Sequence, residues 1–262
     1  MIITLGPEGT YSHQAAQEMF PDETIVFADS IFRIFSNYEP GHTLVLPLEN
    51  STHGSVAEVW EEIHSRGLFV SREHTIKIEH SIGALFKNFN KVYGHHQALQ
   101  QCRRYLQKNY PHVSLEVVAS NALAVKLAAK DTNSAAIASE FTFRVYNLPI
   151  LEKKISDSKF NETRFGVIAS EDLYPQDKKE TTVMVVTPKI DEPGLLYNIL
   201  KPIQESGLNM TRLESRPQGD GTWNYHFYID LKTSPDSSEF AIAKNVIEQK
   251  HEVKVIGAYA NL

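Results

Sequence analysis

The sequence predicts an α/β fold in two parts: a two-lobed region of strand–loop–helix units, then a smaller βαββαβ module. Three observations carry that expectation. Short apolar stretches repeatedly end in polar loops that open helix-period segments, at 2–20, at 44–63 and again across 92–146. An extended stretch at 69–85 and a returning one at 149–153 take the chain out of the first such set and back, which makes a cleft suited to a small ligand. The polar run Tyr174-Pro175-Gln176-Asp177-Lys178-Lys179-Glu180 reads as a linker, and beyond it the patterns follow the ferredoxin-like order βαββαβ.

Taken in order, 2–5 is a short buried strand, and Gly6-Pro7-Glu8-Gly9-Thr10-Tyr11-Ser12 leads into a helix with Ala15, Ala16, Met19 and Phe20 at helical spacing. That helix start is either an anion site supplied with Thr10 and Ser12 hydroxyls or a capped glycine turn; it is not a P-loop, because no Gly-Lys-Ser/Thr follows. A strand at 25–28 and a short helix at 30–35 follow. The strand at 44–48 ends in Glu49-Asn50-Ser51-Thr52-His53-Gly54-Ser55 before an amphipathic segment at 56–63, and Pro47 marks the strand as interrupted or at an edge. His80 sits among apolar neighbours and reads as a satisfied core histidine before a catalytic base. The second set has a strand at 92–94, a helix at 98–106, a strand at 113–118, a helix at 122–129 capped by Ser120-Asn121, a strand at 135–138 and a helix at 141–146. His95 and His96 are adjacent and so do not share a face, and Cys102 lies helix-inward, so no metal site is expected.

Asn161-Glu162-Thr163-Arg164 precedes the apolar run Phe165-Gly166-Val167-Ile168-Ala169. The expectation is a loop at the mouth of a buried strand at 165–169, holding a guanidinium fork beside a stiff hydroxyl; a plain surface loop with an exposed arginine and a capping threonine is the other reading. In the C-terminal module, strands fall at 181–187, 210–215 and 253–259, with a fourth alternating through Trp223, Tyr225, Phe227, Ile229 and Leu231 after a turn at Gln218-Gly219-Asp220-Gly221. One helix carries Leu195, Leu196, Ile199, Leu200 and Ile203, with Pro202 expected to kink it, and another starts at Ser237-Ser238-Glu239. Asp191-Glu192-Pro193-Gly194 offers N–H groups at a helix start, either to a carboxylate or as ordinary capping.

Composition bounds the function. A length of 262 residues suits two domains or one large one, and 42% hydrophobic with 22% charged residues is ordinary for a globular protein. The net charge of -6 does not suggest nucleic-acid binding, so an anionic ligand must meet a local positive site. Cys102 is the only cysteine, which excludes an intrachain disulfide and fits a reducing, cytoplasmic setting. The opening Met1-Ile2-Ile3-Thr4-Leu5 lacks the basic leader of a signal peptide, and no apolar run approaches membrane-spanning length.

Six motifs stand in one order: Gly6 to Ser12, Pro47-Leu48-Glu49-Asn50-Ser51, His95 to Cys102, Thr163-Arg164-Phe165, Gly194-Leu195-Leu196 and Glu214-Ser215-Arg216-Pro217. Together, over nearly the whole chain, they resemble the prephenate dehydratases that carry a C-terminal ACT regulatory domain. The resemblance implies a periplasmic-binding-protein-like catalytic domain at 1–172, with lobe one about 1–76 and 154–172 and lobe two about 77–153, a linker at 173–180 and a ferredoxin-like ACT domain at 181–262. It implies decarboxylating dehydration of prephenate to phenylpyruvate without metal or organic cofactor, with Thr163 donating to the departing hydroxyl and Arg164 as carboxylate clamp or electrostatic support. The implied binding shell is Thr10, Ser12, Asn50, Ser51, Gln97, Ser120, Asn121 and Phe165. The implied phenylalanine site is Gly194, Leu195, Leu196, Asn209, Glu214, Ser215, Arg216 and Pro217, in a homodimer or dimer of dimers inhibited by that amino acid. Three positions depart from the family: His96 replaces a usual proline, Asn121 a usual threonine, and His53 a frequent glutamate. Arogenate dehydration is the nearest rival reading. A non-catalytic amino-acid sensor is the rival from another class, opposed by the intact Thr163-Arg164.

Overall fold

The computed structural model describes residues 1–158, 160–175, 177–219 and 224–260. The chain divides into two compact units, 1–59 with 74–165 and 60–73 with 166–262. In chain order the elements are β1 (Ile2–Leu5), α1 (Tyr11–Met19), β2 (Ile25–Ala28), α2 (Ile31–Ser36), β3 (Thr43–Asn50), β4 (Gly54–Ser55), α3 (Ala57–Arg66), β5 (Phe69–Lys77), β6 (Ser81–Ala84), β7 (Lys91–Gly94), α4 (His96–Gln101) and α5 (Arg103–Asn109). There follow β8 (Ser114–Val117), α6 (Asn121–Ala128), β9 (Ser134–Ala138), α7 (Glu140–Val145), β10 (Ile150–Glu152) and β11 (Glu162–Ala169). The last six are β12 (Thr181–Pro188), α8 (Leu195–Glu205), β13 (Met210–Pro217), β14 (Tyr225–Leu231), α9 (Ser238–Glu248) and β15 (His251–Tyr259). No helix among the described residues is long and apolar enough to cross a membrane.

In the first unit β1 lies between β2 and β3, parallel to both, and β11 flanks β3 on its other side. The buried Thr4 on β1 donates its hydroxyl to Val45 O at 2.7 Å, which satisfies a polar group inside the core. A second sheet runs β10-β6-β9-β7-β8, with β9 antiparallel to β6 and parallel to β7. Every residue of β9 is buried, because both of its faces are covered. Ala135 and Ile137 join one apolar cluster, with Ile82, Val92, Leu99 and Leu106. Ala136 and Ala138 join another, with Val125 and Phe143, as the two-residue period requires.

In the second unit β12 is antiparallel to both β14 and β15, and β13 extends β14 at the edge. The order β12-α8-β13-β14-α9-β15 is the βαββαβ order expected from the sequence. Ile199, Ile203, Phe240 and Ile247 from its two helices bury against Met184, Val186, Ile229 and Leu231. Gly257 of β15 pairs with Val70 of β5, and a Cβ there would lie 2.9 Å from the Val70 Cβ, so the position admits only glycine without rearrangement.

Several expectations are corrected. Asn161 to Arg164 is not a loop: β11 begins at Glu162, because the polar residues pair with the end of β3, where Ser51 N donates to Glu162 O and Glu162 N to Ser51 Oγ, each at 2.9 Å. Pro47 neither interrupts β3 nor places it at an edge; pairing with β1 ends at Val45, so the missing N–H costs no bond on that side. The expected helix at 98–106 is two helices, α4 and α5, meeting at Cys102, whose φ/ψ of -113°/13° leaves the helical region. Helix α8 spans Leu195–Glu205 with Pro202 inside it. The turn residues Asp220 and Gly221 and the strand residue Trp223 lie outside the described residues.

Candidate active site

The end of β3 and the start of β11 build the site's polar centre. Thr163, 8% exposed, has its Oγ1 2.9 Å from Asn50 Nδ2, which donates to it. The same amide donates to Asn161 Oδ1 at 2.8 Å and to Glu162 O at 3.1 Å. Asn50 Oδ1 in turn accepts from Thr52 N at 3.0 Å, Thr52 Oγ1 at 2.6 Å and His53 N at 3.1 Å, an Asx turn that locks the amide. Because an amide N–H can only donate, Thr163 must accept in this bond, and its own proton stays free for another partner.

A cavity of about 420 Å³ opens beside this centre. Asn50, Asn161 and Thr163 form one side; Gln97, Ala98 and Gln101 of α4 with His95 and Asn121 form another; Tyr11, Pro47, Val56 and Ile78 supply apolar surface. A compartment of about 230 Å³ shares His53, Gln97, Gln101 and Asn161 with it and adds Thr52, Gln100, Ser156 and Ser158. Tyr11 donates its hydroxyl to Glu79 O at 2.7 Å, and burial pushes its pKa up. His80, also on the cavity and 2% exposed, lies with Nε2 2.8 Å from Gln101 Oε1. Since that oxygen only accepts, Nε2 carries the proton, and Nδ1 is buried without a partner among the described residues. Burial lowers the pKa of His80; burial and then His96 lower that of His95. The Asn121 side chain accepts from His95 N at 3.0 Å, tying the start of α6 to the start of α4.

Of the residues singled out in the sequence, the cavity gathers Thr163, Asn50, Gln97 and Asn121. It does not gather Arg164, Phe165, Thr10, Ser12, Ser51 or Ser120. Successive strand residues face opposite ways, so Arg164 turns away from Thr163 and pairs with Glu49 at 2.8 Å. Phe165 is a core residue, 2% exposed. Thr10 caps α1, accepting from His13 N and donating to Leu5 O, so its hydroxyl is committed to backbone; Ser120 caps α6 by accepting from Leu123 N, and the Ser51 hydroxyl accepts from Glu162 N. Ser12 is buried within α1. Sequence reasoning left out Tyr11, His53, His80, His95, Gln101 and Asn161 as site residues. His80 is both the buried, bonded histidine expected and part of the wall, and its position among apolar neighbours signalled only the former.

The second unit carries the residues of the implied regulatory site. Gly194, at φ +84°, is the N-cap of α8 with no side-chain capping bond, and Leu195 N is bonded to Glu192 O at 3.0 Å. On β13, Glu214 is paired with Arg216 and with Arg212, and Arg212 holds Asp230 at 2.9 and 3.1 Å while lying over the Trp60 ring. A cavity of about 400 Å³ is lined by Leu200, Ile203, Gln204, Gly207, Leu208, Asn209 and Met210. Of the implied site only Asn209 lies on it; Gly194, Leu195, Leu196, Glu214, Ser215, Arg216 and Pro217 do not.

Comparison with known proteins supplies a family. The prephenate dehydratase family model matches residues 2–173. The chain is 35% identical over 268 residues to the prephenate dehydratase of Methanocaldococcus jannaschii, covering 99% of this chain and 97% of that one. It is also 35% identical over 272 residues to the bifunctional chorismate mutase/prephenate dehydratase of Stutzerimonas stutzeri, covering 98% of this chain and 72% of the relative. The crystal structure of prephenate dehydratase from Arthrobacter aurescens in complex with L-Phe shares the fold, with TM-score 0.86 at 24% identity over 99% of this chain and 90% of that one. A match of this extent to the family model, together with similarity to a prephenate dehydratase over nearly the whole of both chains, places the chain in the prephenate dehydratase family.

Proposed function

We propose that the cavity beside Thr163 carries out the decarboxylating dehydration of prephenate to phenylpyruvate, the activity for which the chain's relatives are named. The ring carboxylate leaves as carbon dioxide, its electron pair enters the ring, and the ring hydroxyl departs and is completed to water by a solvent proton. Aromatisation drives the step. The chain's task is to hold the substrate and stabilise the departing oxygen. The observation that carries the reading is the bond from Asn50 to Thr163, which leaves the Thr163 proton free to be given to that oxygen as a positioned hydrogen bond. Gln97 and Asn121 offer amides to the carboxylates, and the apolar side of Tyr11, Pro47, Val56 and Ile78 suits the ring. Arg164 acts as support, fixing Glu49 beside Asn50, and not as a clamp on the substrate.

The same reading makes 181–262 an ACT domain behind a linker at 173–180 and a two-lobed catalytic domain at 1–172. It binds phenylalanine at the β13 and α8 motifs and inhibits, in a cytoplasmic homodimer or dimer of dimers. The βαββαβ order and the L-Phe complex of the Arthrobacter aurescens protein support this. The test is phenylpyruvate formation from prephenate, with and without phenylalanine, by wild type and Thr163→Ala. The expected loss in the variant is about a hundredfold to a thousandfold in kcat, the range for removing one donor to a developing anion. Equal rates in the two proteins would remove Thr163 from the chemistry.

A further inference from the structure

The walls of the cavity and its compartment hold no Asp, Glu, Lys or Arg among the described residues, so substrate carboxylates must be met there by neutral donors. Gln97 and Gln101 stand four residues apart on α4 and line both spaces. They are held differently. The Gln97 side chain has no hydrogen bond among the described residues. Gln101 is fixed at two points: its backbone oxygen accepts from Asp157 N at 2.7 Å, and its Oε1 accepts from His80 Nε2 at 2.8 Å. Gln101 Nε2 is left with both N–H groups unpartnered among the described residues, on a side chain only partly buried. His80 is itself held. Its O accepts from Ile155 N at 2.8 Å, its N donates to Ser156 Oγ at 3.0 Å, and its ring meets Tyr11 edge-on with centroids 6.2 Å apart.

We propose that His80 is a positioning residue: by donating to Gln101 Oε1 it aims the Gln101 amide N–H groups at the carboxylate that the substrate keeps. The inference rests on the dehydratase reading of this cavity. The two ends of an amide have nearly the same shape, so an unheld glutamine can turn its oxygen towards an anion, and it must be ordered when the anion binds. An N–H donor that cannot itself turn, bonded to the oxygen, settles both matters before the substrate arrives. A buried ring with two χ angles, clamped through its own backbone, is such a donor. The compartment beside Gln101 is lined by neither Thr163 nor the apolar side of the cavity, so it suits the side chain of the ring, which bears the retained carboxylate. That carboxylate keeps its charge throughout the reaction, so its bond to Gln101 is alike in ground and transition states, and loss of the bond falls on KM.

The experiment measures kcat and KM for prephenate with the full chain as wild type, H80M, H80Q, H80N, Q101L and the double variant H80M/Q101L, each checked by its melting temperature. Methionine keeps bulk without a donor; glutamine carries an N–H near the place of the ring Nε2, and asparagine only near that of Nδ1. H80M is expected to raise KM about fivefold, the effect of ordering one free side chain, with kcat within about twofold of wild type. Q101L raises KM by about tenfold to about a hundredfold, as loss of a hydrogen bond to a charged group does. H80Q recovers most of the H80M loss and H80N does not. In the Q101L background H80M adds nothing, a non-additivity that a merely structural role for His80 does not produce. Long-range proton–nitrogen NMR of protein labelled at histidine reads the tautomer without turnover, and the proton is expected on His80 Nε2. An H80M protein with wild-type KM, an H80M loss undiminished in the Q101L background, or a neutral ring protonated at Nδ1 overturns the proposal. With H80M unfolded, equal KM in H80Q and H80N does the same. Wild type inert on prephenate removes the dehydratase reading instead.

Discussion

The cavity beside Thr163 and the face of β13 handle polarity in opposite ways. The cavity is walled by amides, hydroxyls and imidazoles, with no carboxylate, lysine or arginine among the described residues. The strand carries a charged ladder, in which Asp230, its side chain 1% exposed, is held by Arg212, and Arg212 by Glu214, which also pairs with Arg216. The first arrangement leaves donors without fixed partners for charge that arrives with a substrate. The second has its charges already paired, with Arg216 Nε left buried and without a partner among the described residues. A site for transient charge is built from neutral dipoles, and a framework for a lasting charge is built from ions.

That contrast can be broken first at Asp230. Asp230→Ala leaves the Arg212 guanidinium without its buried partner, and a loss of about 3–5 kcal/mol in urea denaturation is expected. A loss under about 1 kcal/mol puts the ladder in the class of surface pairs. Next comes Asn50→Asp, which keeps the shape but removes the N–H groups given to Thr163 and Asn161. A fall of about a hundredfold in kcat is expected, with the melting temperature within a few degrees of wild type. Unchanged kcat detaches the amide from the chemistry. The smallest effect belongs to His64, whose pKa is lowered from 6.5 to about 4 by burial first, then by His226 and Lys254. The unfolded chain binds that proton more readily, so the stability His64 contributes is present above pH 6.5 and is lost as pH falls towards 4. The half-buried ring is screened, so the change is about 1 kcal/mol, and a His64→Gln protein should lack it in denaturation across that window.

Much of the fold was legible because period is legible. The alternation from Tyr225 to Leu231 and the apolar run of β9 state their strands directly. Polar strand ends were not: Glu162, Thr163 and Arg164 carry no apolar alternation, and their pairing with Ser51 is set by residues more than a hundred positions away. The break at Cys102 has no glycine or proline to announce it. At the site, Thr163, Asn50, Gln97 and Asn121 were within reach of the motifs, whereas Thr10 and Ser120 were read two ways and serve as caps. Arg164 was paired with Thr163 by adjacency in sequence, which on a strand means opposite faces.

The placement of Thr163 on a strand also limits how this chain can change its length. An extra or missing residue before Ser158 shifts backbone that is not paired as strand and leaves β11 to find its register again. The same event between Glu162 and Thr163 swaps the faces: the hydroxyl turns out and the guanidinium turns in, beside the very amide that now donates to oxygen. A family of such proteins compared by alignment should therefore tolerate gaps on the approach to this strand and none within its first turn of pleat.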